Sequence, residues 1–415
     1  MKLSGDIQKR QSELTALTGD EGLWTELECD GQRFPVIAKE FWTFRQRQAS
    51  SLHEISYRAC YKPQLPRFFI ERLTIPDDMV YDPFGGRGTT AIEAALLDRR
   101  VISNDINPLS QMLAQPRLTP PSREAVSERL AIIPRITDEQ CDLGMFFHPD
   151  TENEIRAMRR WFIERRESGA FDYIDAWSRM TATNRLTGHS PGFFSVYTLP
   201  PNQAVTRKSQ IALNKKRGQS PEYRDTHALI IRKSRRLLKY LSDQEQKNLR
   251  TASETARFLN CDARHTSKIE PNSVSLTVTS PPFLNVVQYK NDNWLRCWFC
   301  GLDAESIGKS ITMPSNINSW SEFMADVLKE LYRITKPNGH VAFEVGEIKK
   351  GSIKLEEIIL PLGLNIGFDP LGVIINIQNF TKTANIWGVD NNSKGTNTNR
   401  IVLFKKRSFI HSQQL

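Results

Sequence analysis

The stretch from Met79 to Asp105 leaves this chain the least choice of fold. Met79-Val80-Tyr81-Asp82 is a short apolar run stopped by turn chemistry, Pro83-Phe84-Gly85-Gly86-Arg87-Gly88, and so reads as a buried strand. Thr89 to Leu97 follows, rich in good helix formers (Ala91, Glu93, Ala94, Ala95, Leu96). Arg100-Val101-Ile102-Ser103-Asn104-Asp105 reads as a second strand. Strand, glycine turn, helix and strand make a βαβ unit, which commits the chain to a parallel sheet covered by helices.

The repeat then breaks. From Pro116 to about Ser253 the pattern is helical and polar, and strands return at Phe258–Asp262 and Val274–Val278. A helix over Phe323–Leu331, a turn at Lys336-Pro337-Asn338-Gly339, a strand from His340 to Val345, a helix around Leu355–Leu362 and strands at Val373–Ile377 and Arg400–Phe404 complete the pattern. The reading is one doubly wound α/β domain made of residues 46–115 and 255–408. Residues 1–45 form an N-terminal arm or small helical lead-in. Residues 116–254 form a mainly helical insertion, too long to be a loop.

Charge gives the insertion a task. The chain carries a formal charge of +9, and residues 206–250 alone hold 13 Lys and Arg against 4 Asp and Glu, a surplus equal to the whole. A local basic patch is the footprint of a polyanion binder. Thr226 to Leu241 reads as an amphipathic helix with Ile230, Leu237, Leu238 and Leu241 on one side and Arg232, Lys233, Arg235, Arg236 and Lys239 elsewhere. Arg185, Arg232, Arg235 and Arg236 are the candidate DNA-binding residues. Asn184 to Ser190 and Asn202-Gln203 supply further donors, and Thr381 to Asn385 and Asn391 to Asn399 are candidates to line a cleft. Six scattered cysteines suit reduced thiols in a cytosol, so a cytoplasmic location is expected. Cys297 and Cys300 read as core thiols, no metal is called for, and no apolar run is long enough for a membrane span.

A parallel sheet binds ligands at the carboxyl ends of its strands. Gly86 and Gly88 let the backbone turn sharply beneath a ligand, the following helix aims N–H groups at it, and Asp105, 23 residues after Asp82, stands where a carboxylate bonds ribose hydroxyls. Asp82 suits a positively charged amino-acid moiety better than a pyrophosphate. Far downstream, Thr279-Ser280-Pro281-Pro282-Phe283 ends a predicted buried strand. A hydroxyl, a carbonyl held between prolines and an aromatic face are what is needed to grip an exocyclic amino group and stack the base that carries it.

The two strings together resemble those of the DNA amino-methyltransferases, which use S-adenosylmethionine to methylate N4 of cytosine or N6 of adenine. The first matches the form Asp-Pro-Phe-x-Gly-x-Gly-Thr at every fixed position. The resemblance covers about two-thirds of the chain and implies a Rossmann-like class I methyltransferase fold. It assigns S-adenosyl-L-methionine to Asp82, Phe84, Gly86, Gly88, Thr89 and Asp105, with Asp262 at the adenine amino group by position and type. His53 to Pro66 resembles the family's helix before the glycine loop, with Tyr57, Ala59, Lys62 and Pro63 in familiar places. Ser280, Pro281, Pro282 and Phe283 become the catalytic loop. Ser at 280 goes with cytosine N4, whereas Asp or Asn there is commoner for adenine N6. Cytosine C5 chemistry needs a nucleophilic thiolate, usually in a Pro-Cys dipeptide that this chain lacks.

The chain departs from the family in one respect: the cofactor loop precedes the catalytic loop, but the insertion falls before Asp262 rather than after it. The expectation is a site-specific cytosine-N4 methyltransferase of double-stranded DNA, solitary or paired with a restriction endonuclease. Adenine N6, an RNA base, and a DNA-binding protein with a decayed methyltransferase fold stay open as alternatives.

Overall fold

The computed structural model describes residues 2–42, 49–57, 60–138, 140–199, 205–282, 289–311, 314, 316–348, 353–377 and 398–408. In chain order the strands are β1 (Leu23–Cys29), β2 (Gln32–Lys39), β3 (Met79–Asp82), β4 (Arg100–Asn104), β5 (Arg257–Leu259), β6 (Val274–Thr279), β7 (Thr335–Val345), β8 (Glu347–Ile348), β9 (Ile353–Lys354), β10 (Phe368–Ile377) and β11 (Thr398–Lys406). Nine of them make one sheet in the order β1-β2-β10-β11-β7-β6-β3-β4-β5, and β8 pairs with β9 apart from it. The run from β7 to β5 is parallel throughout, whereas β11 lies antiparallel to both β7 and β10. From β3 the chain steps outward to β4 and β5 and then returns to the other side as β6 and β7. Between β3 and β6 the order reverses, and this is where a doubly wound sheet opens a crevice for a ligand.

Strand alternation sorts the core into two layers. Met79 and Tyr81 of β3 pack on one face with Val341 and Phe343 of β7. Val80 packs on the other with Leu276, Val278 and Ala342. The second layer continues without a break into the insertion, through Phe146, Phe147, Met158, Phe162 and Trp177. The insertion therefore shares a core with the catalytic sheet. Its last helix, Asp243–Thr255, packs on helix Thr89–Leu96, with Asn248 Nδ2 donating to Leu96 O at 2.9 Å. That helix is the crossover between β4 and β5 and belongs to the sheet's own architecture.

The N-terminal arm is the larger departure from the sequence reading. Residues 2–39 form helix Lys2–Thr18 and the β1–β2 hairpin, and β2 joins the sheet edge parallel to β10, with Val36 opposite Val373 and Lys39 opposite Asn376. Pro35 argues against a sheet interior because it lacks an N–H, but pairing with β10 begins one residue beyond it. Opposite, Gly372 adopts φ +147° beside a bulge, and a Cβ there would lie 2.4 Å from the Pro35 carbonyl. The Lys336–Gly339 turn survives inside β7: Asn338 has φ +63°, and β6 pairs first with Thr335 and then with His340. Among the described residues no helix is long and apolar enough to cross a membrane.

Candidate active site

A cleft opens over the switch point, lined from the carboxyl ends of four neighbouring strands: Pro83, Phe84 and Gly86 after β3, Asp105 to Asn107 after β4, Cys261 to Ala263 after β5, and Ser280 to Pro282 after β6. Tyr57 and the pair Ile311 and Phe323 close it on the other sides. The two strings, nearly 200 residues apart in sequence, thus form one cavity because β3 and β6 are adjacent parallel strands.

Gly86 and Gly88 have φ of +51° and +78°, the left-handed turn that glycine allows. Gly86 donates its N–H to Asp105 Oδ2 at 2.8 Å, and Asn107 N–H donates to Oδ1 at 2.9 Å. Asp105 is thereby fixed half-buried at the cleft wall, and burial pushes its carboxyl up to about 6 against those two donors. Asp262 lies further along the wall in a forked ion pair with Arg264 (2.7 Å to Oδ2), which holds its carboxyl below the usual range. The Arg264 guanidinium rests 4.8 Å from the ring centre of Phe323.

Three residues expected at the cofactor do not line the cleft. Asp82 is buried, and its carboxylate points inward: Tyr61 Oη donates to Oδ2 at 2.8 Å, while Thr279 Oγ1 and Phe84 N–H donate to Oδ1 at 2.7 and 3.1 Å. Burial raises its pKa despite those donors. The expected contact with a ligand ammonium is replaced by a joint between the two loops, since Thr279 directly precedes Ser280. Thr90 Oγ1 adds a second tie, to Val278 O at 3.0 Å. Gly88 is a packing site, where a Cβ would lie 2.4 Å from the Ala114 Cβ. Thr89 Oγ1 accepts from Arg87 Nε at 3.2 Å.

At the catalytic loop, Pro281 is buried and the Pro282 carbonyl accepts from Trp320 Nε1 at 3.0 Å, so the loop is held from behind. Ser280 lies beside Glu344, a buried carboxylate at the end of β7 that accepts from Asn399 Nδ2 at 2.8 Å. Burial raises the Glu344 pKa, opposed by the Ser280 and Asn399 hydrogen bonds. Sequence reasoning placed the strand but missed this residue. The register that sets Phe343 opposite Thr279 carries the signal, because it brings the next residue of each strand together. Phe283 lies outside the described residues, as do Ala59, Asn202-Gln203, Thr381 to Asn385 and most of Asn391 to Asn399. The helix Tyr289–Phe299 turns Trp294 and Trp298 toward Val205, Arg156 and Arg159 of the insertion. Cys297 and Cys300 are buried, and burial pushes the Cys297 thiol up to about 12.

The four candidate arginines fall into two groups. Arg185, mostly buried and stacked 4.0 Å over Phe193, lies with Arg232 near Gly192, and Arg236 pairs with Glu54 beside them. Arg235 faces away, toward Arg123, Glu124 and Glu128 of helix Arg123–Ile132.

The model of the N6/N4 DNA methylases matches residues 10–115, which hold β1 to β4, the glycine loop and Asp105. Type II methyltransferase M.MvaI of Kocuria varians is 42% identical over 67 residues, 15% of each protein. M.PvuII of Proteus hauseri is 43% identical over 53 residues, 13% of this chain and 16% of that one. The chain thus spans about 15% of the length of these curated relatives. Among solved structures, TTHA0409 of Thermus thermophilus, described as a DNA modification methylase and complexed with S-adenosyl-L-methionine, is 20% identical over 37% of this chain and 56% of its own, with a TM-score of 0.22. Geranyl diphosphate C-methyltransferase of Streptomyces coelicolor A3(2) is 8% identical over 82% and 79%, with a TM-score of 0.31. At those scores neither adds to what the strand order already establishes. The cleft suits S-adenosylmethionine, with Phe84, Ile106, Ile311 and Phe323 as apolar walls and Asp105 and Asp262 as acceptors for hydroxyl and amino donors. Residues 10–115 are thus similar to the N6/N4 DNA methylases, a family whose cofactor is S-adenosylmethionine.

Proposed function

We propose that the chain is a site-specific DNA methyltransferase that modifies the N4 amino group of a cytosine flipped out of the duplex, acting alone or beside a restriction endonuclease. The observation that carries this reading is that Ser280 lines the same cleft as Asp105 and Asp262, with the buried carboxylate of Glu344 beside it. S-adenosylmethionine supplies an electrophilic methyl group. The rest of the task is to make a poor nucleophile react, because the amino lone pair is delocalised into the ring. With its hydroxyl hydrogen directed to Glu344, Ser280 presents its oxygen lone pairs to an amino hydrogen. The Pro281 carbonyl takes the other hydrogen, and together they draw the nitrogen toward sp³. The proton that the amino group sheds passes to Ser280 Oγ as the hydroxyl proton moves onto Glu344, which leaves the serine neutral. The Asp82–Thr279 joint keeps this loop in register with the cofactor loop, the kind of positioning on which an in-line transfer over about 3 Å depends. Asp105 and Asp262 serve as the ribose and adenine acceptors. The flipped base must be unstacked from the duplex, and the basic insertion is the part of the chain suited to hold the backbone meanwhile.

The test is incubation with mixed-sequence DNA and labelled S-adenosylmethionine, digestion to nucleosides and separation by mass. N4-methylcytosine is the expected product. N6-methyladenine would keep the cofactor site and overturn the reading of Ser280. Product on RNA alone would overturn the DNA substrate.

A further inference from the structure

Residues 51–57 join the cofactor cleft to the insertion. At one end Tyr57 lines the cleft, 3.7 Å from where a Cβ on Gly86 would sit. Arg87 of the glycine loop donates to the carbonyls of His53 and Ile55 at 3.2 and 3.0 Å, and His53 Nε2 lies 2.6 Å from Glu93 Oε1 in helix Thr89–Leu96. Toward the insertion, Ser51 Oγ donates to Leu237 O at 2.6 Å, and Asn184 Nδ2 donates to Ser56 O at 3.3 Å.

Glu54 sits in the middle of this segment. Its carboxylate bonds Arg236 Nε and lies 3.4 Å from Lys233 Nζ. Arg185 and Arg232 converge beside them on Gly192, their nearest nitrogens 3.9 and 3.5 Å from the position of a Cβ there. Arg185 donates to the Gly192 carbonyl and Arg232 to the Pro191 carbonyl, both at 3.4 Å. Among the described residues Glu54 is the only carboxylate paired with these four cations. The shortage of negative charge leaves a trace. Burial and then Arg185 hold the Lys233 ammonium down at about 7, and burial and then Arg236 hold Arg185 at about 10. Guanidinium groups converging around a single carboxylate are suited to a phosphate.

We propose that Arg185, Arg232, Lys233 and Arg236 bind one backbone phosphate of the DNA substrate, that Glu54 competes with this phosphate, and that the exchange couples DNA binding to the cofactor cleft through residues 51–57. The proposal rests on the reading of DNA as substrate. Displaced, Glu54 no longer anchors the segment to the insertion, and Tyr57 at its other end changes its hold on the cofactor. Coupling of this kind is reciprocal.

Binding of a mixed-sequence duplex is measured over a salt series for wild type, Glu54→Gln, Arg236→Ala and Glu26→Gln, with and without S-adenosylhomocysteine. Glu26→Gln makes the same charge change on β1, at the far sheet edge. Glu54→Gln binds the duplex roughly two- to fivefold tighter than Glu26→Gln. Arg236→Ala lowers the slope of log K against log salt by about 0.9. The factor by which duplex alters S-adenosylhomocysteine affinity falls toward one in Glu54→Gln. If wild type binds duplex but Glu54→Gln matches Glu26→Gln and Arg236→Ala keeps the slope, the phosphate site is wrong and the DNA reading stands. No salt-dependent duplex binding by wild type removes both.

Discussion

The cleft and the basic face of the insertion are short of opposite charges. Around the cleft, carboxylates gather away from water: burial raises Asp105 at its wall and Asp82 and Glu344 behind it, while Asp262 is held low by Arg264. On the basic face of the insertion the cations Lys233 and Arg185 are both pushed down. Each surplus is costly in isolation and becomes useful against a ligand of the opposite sign. A sulfonium with its ammonium group suits the first and a polyphosphate backbone the second. The two halves of the proposed task thus fall to two regions that share one core.

The largest effects are expected where the cleft does its chemistry. Ser280→Ala or Glu344→Gln lowers kcat roughly a hundredfold or more, while S-adenosylmethionine binding measured by calorimetry stays within about twofold. Equal losses in kcat and cofactor affinity would return Ser280 to a structural role. Asp82→Ala strands three donors, Tyr61 Oη, Thr279 Oγ1 and the Phe84 N–H. It should cost about 3 kcal/mol in denaturant unfolding. If it abolished cofactor binding at unchanged stability, Asp82 would be a ligand residue after all. On the insertion, reversing Arg232 and Arg236 together lowers the salt slope of DNA binding by about 0.9, the share of the one phosphate no longer neutralised. A smaller effect comes from pH. The Asp105 carboxyl is raised to about 6, so the ionised acceptor is present above that value and lost as pH falls through it. S-adenosylmethionine affinity should therefore weaken below about pH 6, with up to one proton taken up; a flat profile down to pH 5 would remove Asp105 from the ribose. Smallest of all, Arg235→Glu leaves the salt slope unchanged, because Arg235 faces helix Arg123–Ile132. A change as large as that of Arg236 would merge the two faces into one.

Local pattern carried the centre of the sheet. β3 is found at Met79–Asp82, where the sequence set it, and β4 ends one residue short of Asp105. These elements are read well because strand, glycine turn and helix are adjacent in sequence and each limits the next. The N-terminal hairpin was illegible for the opposite reason. β1 has one weakly patterned, mostly uncovered face, and β2 is interrupted by Pro35 and takes its register from β10, more than 300 residues later. Glu344 escaped because an acidic residue at a strand end has no signature of its own; only pairing with β6 gives it meaning. Asp82 was recognised as part of a motif but given the wrong partner, since the string shows that a carboxylate is needed and not which way it points. Arg235 was grouped with Arg232 and Arg236 by charge alone; the neighbours each meets, helix Arg123–Ile132 for Arg235 and Glu54 for Arg236, are not written in the string.

The pairing of β2 with β10 also orders events during synthesis. The β1–β2 hairpin leaves the ribosome first, yet the strand that covers its inner edge comes from Phe368–Ile377. Until then β2 presents unpaired N–H and C=O groups to any passing strand. The whole insertion must also be made before β6 and β7 can extend the sheet toward it. A contact of such long sequence separation is slow to close. Between the making of β2 and of β10 one sheet edge is in need of shelter, and helix Lys2–Thr18, made just ahead of that edge and packed against β2 in the finished fold, is placed to provide it.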